Sequence, residues 1–278
     1  GGSLGWSARV TQDEEAGENP ARSRHCERDF RESGTRGDAI ERDASSREGA
    51  LMHIAEGILS PTQCAVWYAA AAPFLIHGGY RVVKEVKEHP ENKLLLATAG
   101  AFTFVLSAIK LPSVTGSSSH PTGTGVGAAL FKPPVMAFLG MIVLIFQALL
   151  LAHGGISTLG ANTFSMAIAG PWAGYAFYKL TKKLHGPDAL AIFLCMVFAD
   201  FITYVVMSFQ LAFAFPDPTG GFWGAVGKFL GIFAVTQVPL ALAEGLVGIL
   251  LFRFLAKVAA PQLRQLGVLD GNPEVTHA

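Results

Sequence analysis

From Pro61 onward the chain is a succession of apolar segments, at 61–79, 94–110, 122–131, 134–153, 162–178, 188–213 and 223–258. This pattern constrains the fold more than any motif does. A bilayer admits only structures that satisfy their own backbone, so spanning segments are helices or closed barrels. Crossing about 30 Å of hydrocarbon as a helix takes ~20 residues, and most of the segments have that length. The fold class expected is therefore all-α: a polytopic integral membrane protein with about seven transmembrane helices. Segment 122–131 is too short to cross alone. It reads as a half-helix fed by an inserted, irregular loop at 111–121, and non-helical backbone at that depth is tolerated only inside protein or beside a polar cavity. Pro239 is expected to kink one long tilted helix rather than divide two.

Charge placement sets the topology. Arg81, Lys84, Lys87 and Lys93 share one connection, Lys179, Lys182 and Lys183 another, and Arg253, Lys257 and Arg264 follow the last segment. The positive-inside rule puts all three groups on the cytoplasmic side of a cell (inner) membrane. That works only if 122–131 counts as a crossing that leaves Lys132 inside. The connections 154–161 and 214–222 contain no Lys or Arg, and the carboxyl end falls in the cytoplasm. His53, His120 and His153 then share the outer face.

The first 51 residues are of another kind. They hold 8 Arg, no Lys and 11 acids, against 10 Lys, 3 Arg and 10 acids in residues 52–278. Residues 1–51 lack apolar periodicity and read as a disordered extension, and the change in basic usage at Met52 favours sequence outside the mature protein over a regulatory tail. Residues 52–258 form the membrane component and 259–278 a cytoplasmic tail. Cys26, Cys64 and Cys195 are isolated, and the latter two read as buried thiols. No basic stripe interleaved with aromatics points to nucleic acid.

The chemistry lies in the histidines. Were Met52 a free chain start, its α-amine, the His53 amide nitrogen and the His53 imidazole Nδ1 close a five- and a six-membered chelate ring on one ion, and His120 supplies a fourth nitrogen. Such a set suits late first-row transition metals; magnesium and calcium prefer oxygen. Each residue has a plainer reading when taken singly. His53 suits an interfacial hydrogen bond, His120 a loop contact among Ser117, Ser118, Ser119, Thr122 and Thr124, and His153 a helix end.

Met52-His53-Ile54-Ala55-Glu56-Gly57, Pro112-Ser113-Val114-Thr115-Gly116 leading into the Ser119–Gly125 run Ser-His-Pro-Thr-Gly-Thr-Gly, and Ala152-His153-Gly154-Gly155 followed by Leu159-Gly160-Ala161-Asn162 together resemble the CbiM/NikM family. These are the cobalt- and nickel-specific membrane components of energy-coupling-factor transporters. The wording of the second and third motifs is similar to the cobalt, cobalamin-linked branch. The resemblance implies that the amino-terminal segment plugs inward and that the Met52 amine, His53 and His120 hold the ion. It also implies Co(II) as cargo with Ni(II) the alternative, a transmembrane coupling subunit, cytoplasmic ATPase subunits and a small accessory membrane subunit. In the family that Met begins the chain, whereas here 51 residues precede it.

Other residues carry supporting readings. Asn162 is either an orienting partner of a ligand imidazole or an N-cap for the segment beginning at Thr163. Glu56, Asp200 and Glu244 are acids in or beside apolar segments, where ionisable groups cost ~2.5–3.5 kcal/mol on insertion scales. Glu56 is expected to neutralise the ion or orient the plug, and Asp200 and Glu244 to be buried hydrogen-bond partners. Ala65, Ala69 and Ala72 recur at helical spacing and mark a face for a partner helix, with internal packing the alternative. The sequence contains no GxxxxGK[ST] phosphate loop and no HExxH. It therefore points neither to an ATPase nor to an intramembrane metalloprotease. A stand-alone secondary carrier would need more acids along the inner half of the path.

Overall fold

The computed structural model describes residues 53–112 and 118–269. Met52, the extension 1–51 and the end of the tail at 270–278 lie outside the described residues, so the readings placed on them are not addressed by the structure. Helix α1 runs Pro61–Glu88 and α2 Lys93–Ala108, joined by a 3-10 turn at Pro90–Asn92. Two-residue strands β1 (Leu111–Pro112) and β2 (Ser118–Ser119) pair antiparallel, Leu111 opposite Ser119. Helix α3 spans Thr124–Leu150, α4 Leu159–Asn162, a π-helical stretch Thr163–Ala169, and α5 Gly170–Lys183. Helices α6 (Asp188–Ala214), α7 (Gly221–Val258) and α8 (Ala260–Gln265) complete it.

Helices α3, α6 and α7 are long and apolar enough to cross a membrane. The chain is an α-helical membrane protein, and α7 is one helix with Pro239 inside it. The sequence placed two segments, 122–131 and 134–153, where the structure has α3 broken at Lys132, whose φ of 72° and ψ of 156° are not helical. The two parts lie side by side, because a Cβ on Gly127 would fall 2.3 Å from Met136 Sδ. A straight helix would set residues 127 and 136 about 13 Å apart. Residues 124–131 are therefore the half-helix, folded back on residues 133–150. Lys132 gathers with Arg81 and Lys84 around one cavity and with Lys179 and Lys182 around another, so the cations collect at one end of the bundle.

Close helix approach explains why glycine recurs here. A Cβ on Gly170 would sit 2.6 Å from Ala199 O, and one on Gly174 2.4 Å from Cys195 O, so α5 and α6 meet backbone to backbone along this i, i+4 pair. Cys64 and Cys195 are both buried and free. Hydroxyls inside the helices bond to their own preceding turn, as Thr103 does to Ala99 O and Ser208 to Tyr204 O, which keeps polar atoms satisfied away from water. The face of α1 that packs inward carries Cys64, Ala71 and Gly78. Ala65 and Ala69 are exposed and Ala72 half-buried, so internal packing does not use that stripe.

Replacing Gly174 by Ile should destabilise the protein by about 1–3 kcal/mol, the usual cost of overpacking. Gly231→Ala, where an added Cβ meets nothing within 4 Å, should leave stability level or raise it. Thermal unfolding in detergent compares the two, and an unchanged midpoint for Gly174→Ile would refute the backbone contact.

Candidate metal centre

The segment before α1 is not helical, yet part of it is enclosed by the bundle. Ile54 is fully buried and Leu59 nearly so, in an apolar cluster with Cys64, Ala161, Tyr204, Met207, Leu211 and Phe233. Burying side chains of this size favours the inserted position by ~1.5–3 kcal/mol each. The backbone is satisfied as well. Ile54 N–H donates to Asn162 Oδ1 at 3.0 Å, and Ile54 C=O accepts from Asn162 Nδ2 at 3.1 Å and from Thr158 Oγ1 at 2.5 Å. One carboxamide thus pairs with both the N–H and the C=O of one residue, as a neighbouring strand would. Asn162 makes no side-chain cap to the stretch starting at Thr163, which corrects the N-cap reading. Its partner is the backbone beside His53.

Glu56 is held by Ser157 N–H at 3.0 Å, and bonds to Ser157 keep its carboxyl below the usual carboxylate range. It is exposed and aimed at the connection rather than at the histidines, so of its two expected roles the geometry fits orientation of the plug. The 151–158 connection closes over the plug through two left-handed residues, Ala152 (φ 47°) and Gly154 (φ 80°). A Cβ on Gly154 would meet His53 Cβ at 3.4 Å, and one on Gly155 would meet Glu56 Cα at 2.6 Å.

His53, His120 and His153 converge there, with one ligand-type atom from each lying within 4.8 Å of the others. His120 Nε2 is 2.8 Å from His53 Nδ1. Two nitrogens bound ~2.0–2.1 Å from one ion and about 90° apart stand ~2.8–3.0 Å from each other. The separation is compatible with two ligands on a single cation, as it is with a direct hydrogen bond between the rings. His120 Nδ1 lies 2.9 Å from Pro121 O; donation there leaves the Nε2 lone pair facing His53, the arrangement in which metal-bound imidazoles are commonly held. The rings of His53 and His153 have centroids 4.5 Å apart, edge to face. The buried Nε2 atoms of His53 and His153 have no hydrogen-bond partner among the described residues.

Burial dominates the electrostatics. It pushes His120 down to about 4 and His153 to about 3, with Lys110 adding repulsion at both. His53 is lowered by burial first and by its cationic-capable neighbours second. At neutral pH the three rings are uncharged, with lone pairs open to a cation.

Sequence reasoning named Glu244 without its partners. Its carboxylate accepts from Thr122 N–H at 2.7 Å, Gly123 N–H at 2.9 Å and Thr122 Oγ1 at 3.1 Å, fitting its reading as a buried hydrogen-bond partner. Asp200, fully buried beside it, has neither carboxyl oxygen in a well-formed hydrogen bond. Tyr204, which the sequence did not single out, donates to His120 O at 2.9 Å. An aromatic residue inside an apolar run carries no signal that could have found it.

Comparison with known proteins bears on this geometry. Residues 53–262 match the family model described as "Cobalt uptake substrate-specific transmembrane region". A "Cobalt transport protein CbiM" from Propionibacterium freudenreichii is 71% identical over 234 residues, covering 81% of this chain and all of the relative. One of the same description from Streptomyces coelicolor is 60% identical over 218 residues, covering 78% of this chain and 94% of the relative. Among solved structures, one described as a transition metal transporter is similar at a TM-score of 0.64 and 28% identity, covering 74% of this chain and 93% of that one.

Asn162→Ala should free the plug. Leaving buried peptide groups unpaired costs ~1–3 kcal/mol, so the Ile54 amide should exchange its hydrogen about 10- to 100-fold faster. Hydrogen-exchange mass spectrometry of the 53–60 peptide reads this directly, and unchanged protection would remove Asn162 from its assigned role.

Proposed function

The chain belongs to the CbiM family of cobalt uptake substrate-specific transmembrane proteins, and from that premise we propose that His53 Nδ1 and His120 Nε2 bind the transported ion. The chain is a membrane component of transition-metal transport, with cobalt the favoured ion, and its family is one of transporter components rather than enzymes. The observation that carries the assignment of ligands is the 2.8 Å approach of the two imidazole nitrogens. Two enclosed nitrogens that both bear lone pairs repel unless a proton or a metal ion lies between them.

In this reading Co(II) is the cargo, feeding cobalamin synthesis, and Ni(II) the alternative that the same nitrogen set accepts. The Met52 α-amine and the His53 amide complete the set when Met52 is the mature start. His153 lines the site as a third imidazole. Asn162 and Glu56 support it from outside, by holding the plug. The site faces outward and the carboxyl end lies in the cytoplasm, a placement supported by the cations gathered at one end of the bundle. Transport is driven by cytoplasmic ATPase subunits through a transmembrane coupling subunit, with a small accessory membrane subunit. The exposed Ala65 and Ala69 with Ala72 offer a face on which a partner helix packs closely.

His53→Ala and His120→Ala should each abolish cobalt uptake into cells at unchanged membrane expression; uptake retained in both defeats the ligand assignment. The pH dependence separates the amine from the imidazoles. Only unprotonated nitrogen binds metal; burial keeps the His120 imidazole unprotonated until pH falls towards about 4 and lowers His53 well below its ordinary value too. A free α-amine titrates near ~7.7–8.0. Protein beginning at Met52 gives up an amide proton on binding and, below ~8, an ammonium proton as well, so it should lose about a hundredfold in Co(II) affinity per pH unit below ~8. Protein with a blocked extension should bind more weakly and hold its affinity level down to about pH 5. Identical titrations by competition with a chromophoric chelator would exclude the amine.

A further inference from the structure

We infer that α7 carries His120, with Glu244 as the positioning residue that couples them, so that moving α7 away from the plug opens the ion site. The inference rests on the ligand assignment above and concerns how that site is held and released.

The two imidazoles that meet at 2.8 Å are hung from different parts of the molecule. Apart from the imidazole contact itself and a Cys64 thiol on Leu59 O, the segment of His53 is tied to the rest of the structure by hydrogen bonds to Ser157, Thr158 and Asn162. His120 belongs to residues 118–123, tied to α7 at two levels. Ser119 Oγ lies 2.7 Å from Thr236 Oγ1, and Glu244 takes both backbone N–H groups of Thr122 and Gly123. Tyr204 of α6 and Thr103 of α2 add one bond each, to His120 O and Gly123 O. Among the described residues no hydrogen bond joins residues 53–59 to α7. The contact between them is apolar, Phe233 against the cluster of Ile54 and Leu59, and such a contact slides without losing directed bonds.

The two attachments differ in strength. Glu244 accepts three donors from Thr122 and Gly123, and it is only 2% exposed, so water does not compete. Eight residues separate Thr236 from Glu244, about 12 Å along a helix. Pro239 lies between them, where it removes one helical hydrogen bond and leaves the helix a place to bend. Bending there shifts the deep attachment relative to the shallow one. The 118–123 segment then follows Glu244, and His120 Nε2 leaves His53 Nδ1. An ion held by both loses one ligand and is released.

The test uses the purified full chain with Cys26, Cys64 and Cys195 replaced by Ser, and Co(II) alone as the probe. In Glu244→Gln one donor of the loop faces an amide nitrogen that cannot accept it. Affinity should fall about 10- to 100-fold, the loss expected for a hydrogen bond to a charged group. Adding Ser119→Cys with Thr236→Cys and oxidising the pair should restore affinity to within about threefold of the parent by covalent means, and reduction should remove the gain. A merely structural role for Glu244 would not be rescued at that distance. Glu244→Gln binding as tightly as the parent, or a loss that the disulfide does not repair, overturns the inference. A second readout needs no metal: Ser119→Cys, at a position 1% exposed, should react with a thiol reagent at least about tenfold faster beside Glu244→Gln. Equal rates overturn it. If Glu244→Gln is not recovered folded, Thr122→Ala, which removes one donor to the same carboxylate, should show a smaller acceleration of about threefold, and none overturns it. Co(II) binding unchanged in His120→Ala would instead sink the ligand assignment, leaving the labelling rates to judge the coupling.

Discussion

Everything in this structure turns on the satisfaction of backbone polar groups where water is scarce. Two stretches outside the helices, at 53–54 and 119–123, are buried against the helical bundle, and the backbone groups there need partners that regular structure does not supply. Asn162 and Thr158 provide it for Ile54; Glu244 and Tyr204 provide it for residues 120–123. The side chains that make the irregular backbone tolerable are the ones that place two imidazoles at ligand distance. Stability and site geometry therefore have the same cause.

The helices contribute enclosure rather than chemistry. Glycines at 170 and 174 bring α5 against α6, and Gly125 and Gly248 bring α3 and α7 up to Met196 of α6. Close approach leaves the histidine end of the bundle dry. Dryness keeps the imidazoles neutral, and neutral imidazoles are the form that a late transition metal binds. Magnesium would find no oxygen set at this place, since the ligand-type atoms that converge are nitrogens.

Lys132 gathers with Arg81, Lys84, Lys179 and Lys182 away from His53, His120 and His153. Lys132 sits in a backbone conformation unusual for a residue with a side chain, where the chain reverses between the two parts of α3. The reversal lets residues 124–131 run from the histidines towards the lysines while residues 133–150 return. That arrangement keeps His153 beside His53 and His120, where the ring contacts are found.

Much of this was legible in the order of residues. Hydropathy is a property of consecutive residues, so the helical membrane class, the short half-helix and the single helix α7 with Pro239 inside it could be read from the apolar segments. The family motifs likewise named His53, His120 and His153. What could not be read were the partners. Asn162 looked like a cap or an imidazole's neighbour, and it pairs with Ile54, 108 residues away. Glu244 was visible as an acid in an apolar run, yet its donors lie 121 and 122 residues back. Tyr204 carried no signal at all. A hydrogen bond depends on direction and on tenths of an ångström between segments far apart in the chain, and nothing in local composition encodes either quantity. The sequence by itself determined that this protein lies in a membrane and which side chains are able to bind metal; only the tertiary structure decided which of them meet, because convergence is a property of packed helices and not of their order.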